Sequence, residues 1–542
     1  MTSTIQLLIL LLIVIAVVAV IADRLGIPAV ILLVLTGVGL ALLPGLPAVR
    51  LDPDVVLLLI LPPVIYSSAV AMSWSEFRFN LRPISLLAIG CVVFTTIAVA
   101  AATHWLLHLP WPVGFLLGAI VSPPDAVAPL SIARRMGLPR RIVVILEGEG
   151  LANDATALIL YRFAVAAVIG GRLFSLPNAV GAFAGILIGE FIWGVAIGWL
   201  MLRLRRWVNN PRIEILLSVL TPFLAYWPPQ HLGGSGVLAT VTAGLYISWN
   251  GLRLISPATR LQGIFFWDFL NYVIEGLVFL LTGLQAHALL TATRSSSVAV
   301  LISAGALASL VVIVTRFAWM YPATYLPRWL FPAVARRDPA PPWQWPFVLA
   351  FTGVRGIVSL AAALAIPLLM EDGTPFPYRD LILFVSFTVV LVTLVVQGLT
   401  LPALIGWLGL ANAGRVEHRD ERAQELKARR LAIGAVLARL VEFETDHKAP
   451  TQAIMRLRAL YEDRLAQLER RSGVQEPDTD ASARAEDYLE DNLEILLTAA
   501  EREFVNDMYR NGELKDEARR RIERELDLRD AALASAREDI SQ

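Results

Sequence analysis

Residues 146–163 read LEGEGLANDATALILYRF, which sets Glu147, Glu149, Asn153, Asp154 and Arg162 into a stretch otherwise apolar enough for lipid. An ionised side chain at the centre of a bilayer costs at least ~2.5 kcal/mol even on the lenient insertion scale, so charge at that depth marks function by default. Just upstream, residues 121–130 read VSPPDAVAPL, an apolar segment broken by Pro123, Pro124 and Pro129 around a single carboxylate, Asp125. Two carboxylates in adjacent spans point to a site for a cation or a proton.

The rest of the chain agrees with a membrane setting. With 56% hydrophobic residues and 17% charged ones over 542 positions, it is too apolar for a soluble protein and long enough for many spans. The net charge of zero conceals an asymmetry. Residues 1–410 hold 23 arginines, no lysine and 16 acids, whereas residues 411–542 hold 20 arginines, three lysines and 30 acids. These are two bodies, a transmembrane domain over 1–410 and a charged helical domain over 411–542. Cys91 is the only cysteine, which excludes a disulfide framework and a cysteine metal site. The first residues lack the basic start of a cleaved signal peptide and read as a retained span.

Apolar runs of about 20 residues place spans near 5–22, 27–43, 53–72, 83–107, 111–130, 142–169, 178–202, 213–230, 233–250, 264–288, 296–320, 345–369 and 380–408. This predicts an all-α polytopic membrane protein of about 13 transmembrane helices. Loops after odd-numbered spans carry sixteen arginines, among them Arg82, Arg134, Arg135, Arg140, Arg141 and Arg328; loops after even-numbered spans carry only Arg50, Arg172, Arg294 and Arg379. Because short cytoplasmic loops carry the positive excess, the amino terminus is expected outside and the charged tail in the cytoplasm.

Span 12 contains FTGVRGIVSL, with Gly353 and Gly356 flanking Arg355 inside an apolar helix. It lies seven spans after the proline-broken span 5. Two six-helix halves joined by span 7 would therefore have inverted orientation, and interrupted helices at matching places in inverted halves mark a transporter's midplane site. Within span 6, Glu149 and Asn153 are one helical turn apart and Asp154 sits about 100° round from Asn153. Arg355 needs a buried anion, for which Glu149, Glu147, Asp125 and Asp154 are the candidates. A buried carboxylate balanced between desolvation and a nearby cation can hold a proton or a bare monovalent cation but not both. That competition is the minimal mechanism of exchange.

The segments ILEGEGLANDATAL, SPPDAVAPLSIARRMGLPRR and FTGVRGIVSLAAALAIP resemble the Asn-Asp span, the unwound proline span and the arginine span of the monovalent cation:proton antiporter-1 family, the NhaP-like bacterial sodium/proton antiporters. LPPVIYSS at 61–68, HLGGSGVLATVTAGLY at 231–246 and FWDFLNYVIEGLVFLLTGLQ at 266–285 extend the resemblance over nearly all of residues 1–410. The resemblance implies that Asp154 alternately binds cation and proton, that Asn153 orients it, that Asp125 supports the site from the unwound helix, and that Glu149 and Arg355 form a structural ion pair. It further implies alternating access by a homodimer in the cell (inner) membrane and a role in pH and sodium homeostasis. Asn153 in place of a second aspartate resembles the electroneutral branch, one cation per proton. No cofactor is expected, and no metal beyond the transported Na+, Li+ or K+.

The chain departs from the family's pattern where Ser67 and Ser68 follow the LPP motif, where Pro124 precedes Asp125, and where Gly150 follows Glu149. The remaining oxygen ligands are Asp154, Asp125, Ser122 and Ser67 with backbone and water. Asp268 and Glu275 share a face of span 10 and could line a cytoplasmic funnel or pair with Arg260 or Arg316. Glu190 reads as a dimer-interface or headgroup residue. His104 and His108 lack a third ligand for a metal.

The tail reads as helices near 418–445, 450–471, 484–510 and 512–537, with acids and arginines interleaved on solvent-facing surfaces. It holds no phosphate loop and no basic patch for nucleic acid. The expected activity is exchange of Na+ for H+, the protein being no enzyme. The alternatives are a K+/H+ antiporter, a passive cation channel, or an intramembrane hydrolase using Asp125 and Asp154 as an acid pair.

Overall fold

The computed structural model describes residues 2–43, 52–170, 176–208, 210–251, 254–292, 298–370, 373–445 and 451–471, with short pieces between 497 and 528. The chain divides into two compact units, Met1–Arg415 and Val416–Gln542.

The first unit opens with α1 (Thr2–Leu25) and α2 (Ala29–Ala41). A wide π-helical turn, Val55–Ile60, leads into α3 (Leu61–Ala71), and the short α4 (Trp74–Phe79) follows. Next come α5 (Leu81–Ser85), continued through a second π-turn into α6 (Val92–Leu107), then α7 (Trp111–Val121), α8 (Val127–Arg135) and α9 (Arg140–Gly170). The middle of the chain forms α10 (Leu176–Arg205), α11 (Pro211–His231), α12 (Val237–Asn250), α13 (Pro257–Ala292) and α14 (Val298–Leu330). It closes with α15 (Pro332–Arg337), α16 (Gln344–Phe351), α17 (Ile357–Leu364), α18 (Arg379–Val392) and, after a π-turn at Thr393–Gln397, α19 (Gly398–Trp407). Seven helices among the described residues are long and apolar enough to cross a membrane, and Ala29–Ala41, Val55–Ala71 and Trp111–Val121 are shorter apolar helices.

Lipid tails are as apolar as leucine, so helices in a bilayer associate by close packing of small residues rather than by a hydrophobic force. The contacts follow that rule. A side chain at Gly37 or Gly283 would overlap the backbone of the facing helix where α2 crosses α13, and one at Gly118 would lie 2.5 Å from the Thr96 carbonyl where α7 meets α6. Leu116, Leu117 and Ile120 of α7 join Leu151, Ala155 and Leu158 of α9 in the largest buried cluster.

Two spans are interrupted where the sequence analysis expects it. Between α7 and α8, residues 122–126 leave the helix, because Pro123 and Pro124 cannot donate backbone hydrogen bonds. Between α16 and α17, residues 352–356 do the same around two glycines. By contrast α9 runs unbroken for 31 residues, about 46 Å at 1.5 Å per residue, and carries its polar residues through the middle of the unit.

In the second unit α20 (Leu410–Thr445), which begins in the first, is followed by α21 (Thr451–Arg471). Arg458 of α21 meets Glu444 of α20 at 2.8 Å. These match the first two helices expected of the tail; the expected helices at 484–510 and 512–537, and the stretch RSGVQEPDTD at 471–480 that reads as a linker between them and the first two, lie almost wholly outside the described residues.

Candidate functional site

The two breaks lie against each other. The Asp125 N–H donates to the Val354 carbonyl at 2.7 Å, and Arg355 Nε donates to the Val121 carbonyl at 2.7 Å. A Cβ on Gly356 would overlap the Asp125 carboxylate, so glycine is the residue that fits there. Four half-helix ends thus meet inside the unit. The C-terminal ends of α7 and α16 expose carbonyls with partial negative charge, and the N-terminal ends of α8 and α17 expose N–H groups with partial positive charge.

Each kind of end has found its counter-charge. Asp125 Oδ1 accepts the Val127 N–H at 2.9 Å, and the carboxylate also faces the Ile357 N–H, so one acid serves two helix N-termini. Fully buried Arg355 gives Nε to Val121 and Nη1 to the Gly353 carbonyl at 2.5 Å. Its backbone N–H donates to Thr393 Oγ1 at 2.9 Å, in the π-turn after α18.

Here the structure corrects the expected ion pair. Glu149 is not the partner of Arg355; it is gripped by Arg316 of α14, Nη1 to Oε1 at 2.5 Å and Nη2 to Oε2 at 2.7 Å. Arg316 also donates Nε and Nη2 to the Leu349 carbonyl at 3.1 and 2.9 Å, near the C-terminal end of α16. The physical reason is geometry: Arg316 can serve a carboxylate and a helix end with one planar fork, while Arg355 turns Nε and Nη1 to the carbonyls of α7 and of its own turn and leaves Nη2 without a partner among the described residues. Both side chains of the pair are essentially without solvent exposure, at 1% and 2%.

Asp154 differs from every acid in this crossing. No protein group among the described residues donates to its carboxylate, and at 9% exposure it reaches a cavity of about 1650 Å³. The same cavity touches Asp125 and Gly356 at one end. Elsewhere it is lined by interhelical turns, including Gly26, Ser73, Met136 and Ile255, together with Arg134, Arg135, Arg140 and Arg260. All belong to the arginine-rich set of loops.

The amino-acid sequence from 9 to 407 matches the family model for the transmembrane sodium/hydrogen exchanger. The chain belongs to that family. The exchanger is 32% identical over 519 residues to an uncharacterized Na(+)/H(+) exchanger of Mycobacterium tuberculosis, covering 94% of this chain and 92% of that protein. That span takes in most of the tail. It is 33% identical over 396 residues to a Bacillus subtilis protein described as a sodium, potassium, lithium and rubidium/H(+) antiporter, covering 70% of this chain and 58% of that one. Among solved structures, the sodium proton antiporter MjNhaP1 of Methanocaldococcus jannaschii superposes with TM-score 0.60 at 19% identity, over 76% of this chain and 98% of that one.

The remaining candidates in the exchanger divide between cavity and packing. Ser67 lines the cavity, donates to the Val64 carbonyl at 2.9 Å, and exchanges hydrogen bonds with Asn271 at 2.8–3.1 Å. Asp268 and Glu275 line it as well; Arg316 is no partner for either, being held by Glu149. Asn153 is fully buried and donates Nδ2 to the Pro124 carbonyl at 2.6 Å, so it braces the unwound segment rather than touching Asp154. Ser122 is buried with its hydroxyl donated to the Ala119 carbonyl at 3.2 Å. Of two further polar residues, Glu190 had another assignment in the sequence. Glu190 is an internal cap, accepting the N–H groups of Ser235 (2.5 Å), Gly236 (3.0 Å) and Leu238 (3.1 Å) at the start of α12. His104 is held by the Leu109 carbonyl at 2.7 Å and stacks on Trp111.

Proposed function

We propose that this exchanger carries Na+ out of the cytoplasm against protons, with Asp154 as the group that both substrates occupy in turn. The observation that carries the reading is the contrast in hydrogen bonding. Asp125, Glu149 and Glu190 are committed to helix ends and to an arginine, and a carboxylate so committed cannot release its partners in each cycle. Asp154 instead combines burial in the core with a carboxylate at a cavity wall that no protein group among the described residues bonds. Protonated, it is neutral and loses its attraction for a cation; ionised, it needs one, since an unpaired charge in a low-dielectric setting is costly.

Asp125 would contribute to the cation's oxygen shell from the unwound segment, and Ser67 with Asn271 would supply neutral oxygens from α3 and α13. Asn153 would keep the Pro124 carbonyl in place rather than ligate. With one exchangeable carboxylate and an amide beside it, a turnover moves one charge each way and is electroneutral. The cavity meets the arginine-rich loops, which the positive-inside rule puts in the cytoplasm, so this is the inward-facing half of an alternating-access cycle. The protein would work in the cell membrane as a homodimer, serving pH and sodium homeostasis.

Potassium is the second reading, supported by the breadth of ions named for the Bacillus subtilis relative and by the few side-chain oxygens at the site. One experiment tests both. In acid-loaded vesicles containing the purified protein, Na+, Li+ and K+ are added in turn and internal pH is followed. Sodium-triggered alkalinisation that falls to the level of empty vesicles in Asp154→Asn is the expected result; full activity in that variant refutes the assignment, and K+ outranking Na+ replaces the ion.

A further inference from the structure

A second, smaller cavity of about 40 Å³ lies apart from the ion site, between α5, the start of α9, the end of α14 and the start of α16. Its walls are apolar, including Leu86, Ile145, Met320 and Leu349, and three arginines stand among its lining: Arg82, Arg141 and Arg328. All three converge on one carboxylate. Asp338 Oδ2 accepts Arg82 Nη2 at 2.5 Å and Arg328 Nη2 at 2.8 Å, and Oδ1 lies 2.8 Å from Arg141 Nη2.

Three guanidiniums against one carboxylate leave two positive charges uncompensated among the described residues. The next acid along this face, Glu76, is taken by Arg140, which grips it with Nε at 3.0 Å and Nη2 at 2.7 Å. The three arginines are not equally committed. Arg328 is largely buried, at 8%, and also donates to the Thr324 and Asp338 carbonyls. Arg141 gives Nε to Asn80. Arg82 is 31% exposed, and its one hydrogen bond among the described residues is to Asp338, which leaves other donors of its fork unused there.

The level of the cluster in the fold indicates what it faces. Trp329 and Trp343 flank it in the chain and are 79% and 51% exposed, and exposed tryptophans at helix ends sit at headgroup depth. Basic pockets between transmembrane helices on that side suit phospholipid headgroups. An arginine fork matches a phosphate's oxygens bidentately, and the apolar walls beneath would receive the first methylenes of an acyl chain.

We propose that this cleft binds the headgroup phosphate of an anionic phospholipid. The lipid would bridge α5 and α9 of the first half of the unit to α14 and α16 of the second, adding an external tie between the same helices that Glu149 and Arg316 join internally. The proposal does not depend on the identity of the transported ion.

The test is thermal unfolding of the purified full-length protein in detergent, with added phosphatidylglycerol, phosphatidylcholine of the same chains, or inorganic phosphate. Phosphatidylglycerol should raise the midpoint by several degrees over phosphatidylcholine, and phosphate alone should not. Arg82→Gln should remove at least half of that difference, and Ala323→Phe, which fills the apolar wall and keeps every charge, should abolish it. The two variants alter opposite ends of the site, so either that folds is decisive. Equal shifts with both lipids, or an undiminished difference in a folded variant, would overturn the proposal; a shift reproduced by phosphate alone would overturn the lipid and leave a free anion.

Discussion

The crossing of the two broken helices and the wall of the large cavity are built from the same residue types and behave oppositely. In the crossing, Glu149, Arg316 and Arg355 are buried and Asp125 is half-buried, and each is hydrogen-bonded to a helix end, to another charge, or to both. At the cavity wall Asp154 is buried too, more so than Asp125, and is bonded to no protein group among the described residues. The difference separates charges that hold the backbone open from the one charge proposed to do the exchange. Irregular backbone inside a membrane survives only if its polar groups are satisfied, so the first set is the condition for the second.

The largest effect on the sealed side is expected from Arg316→Ala. It strands Glu149 and two carbonyl contacts at once, and breaking a buried ion pair by removing one partner costs about 3–5 kcal/mol. Yield of monodisperse protein should collapse, as measured by size-exclusion chromatography of the solubilised membrane; a normal yield would mean the crossing is less rigid than its bonding indicates. Gly356→Ala is expected to be milder for folding and severe for transport, since its Cβ must displace Asp125 while leaving Glu149–Arg316 intact. Vesicle flux at least roughly 100-fold down, about 2.7 kcal/mol in rate terms, with near-normal yield is the outcome that sharpens the division.

The smallest effect lies outside the crossing, at Asp338. Partial burial raises its carboxyl, but the hydrogen bond and charge of Arg141 and the charges of Arg328 and Arg82 outweigh that and hold it below its ordinary 3.8. A depressed folded value means the stabilisation is complete above the unfolded value and is lost as pH falls through the folded one. Asp338→Asn should therefore lower stability by ~1–2 kcal/mol, equally at pH 7 and pH 5, with the gap closing only below about pH 4. A gap that instead changed between pH 7 and 5 would place the titrating group elsewhere.

Much of this was legible in the sequence, for identifiable reasons. Prolines at 123 and 124 and glycines at 353 and 356 leave few conformations open, so both helix breaks fall where expected. The charge pattern of α9 marks Glu147, Glu149 and Asp154 as candidates, because charge in an apolar run has few explanations, and the family resemblance chooses Asp154 among them. Pairings were harder to read. Arg316 is an isolated arginine in the apolar α14, and its burial should by itself have demanded an anion. Which of two arginines reaches Glu149 depends on side-chain reach across three helices, and no linear spacing encodes that. The contacts of Asn153 and Glu190 were hard to read for the same reason: an amide beside an acid suggests a ligand, and a lone glutamate in a long apolar helix suggests an interface. The partners are the Pro124 carbonyl for Asn153 and, for Glu190, the N–H groups of the turn at 235–238 with the Ser235 hydroxyl, all far away in the chain. Asn271, bonded to Ser67, was absent from the candidates because nothing local marks it.

The most direct test of the central claim is proton release on cation binding. Purified protein in a weakly buffered detergent solution is titrated with NaCl against a choline chloride control, and the pH change is read for wild type, Asp154→Asn and Ser67→Ala. Competition at Asp154 predicts release in wild type and in Ser67→Ala and none in Asp154→Asn. Undiminished release from folded Asp154→Asn would contradict the account, because the cation and the proton would then be meeting at some other group.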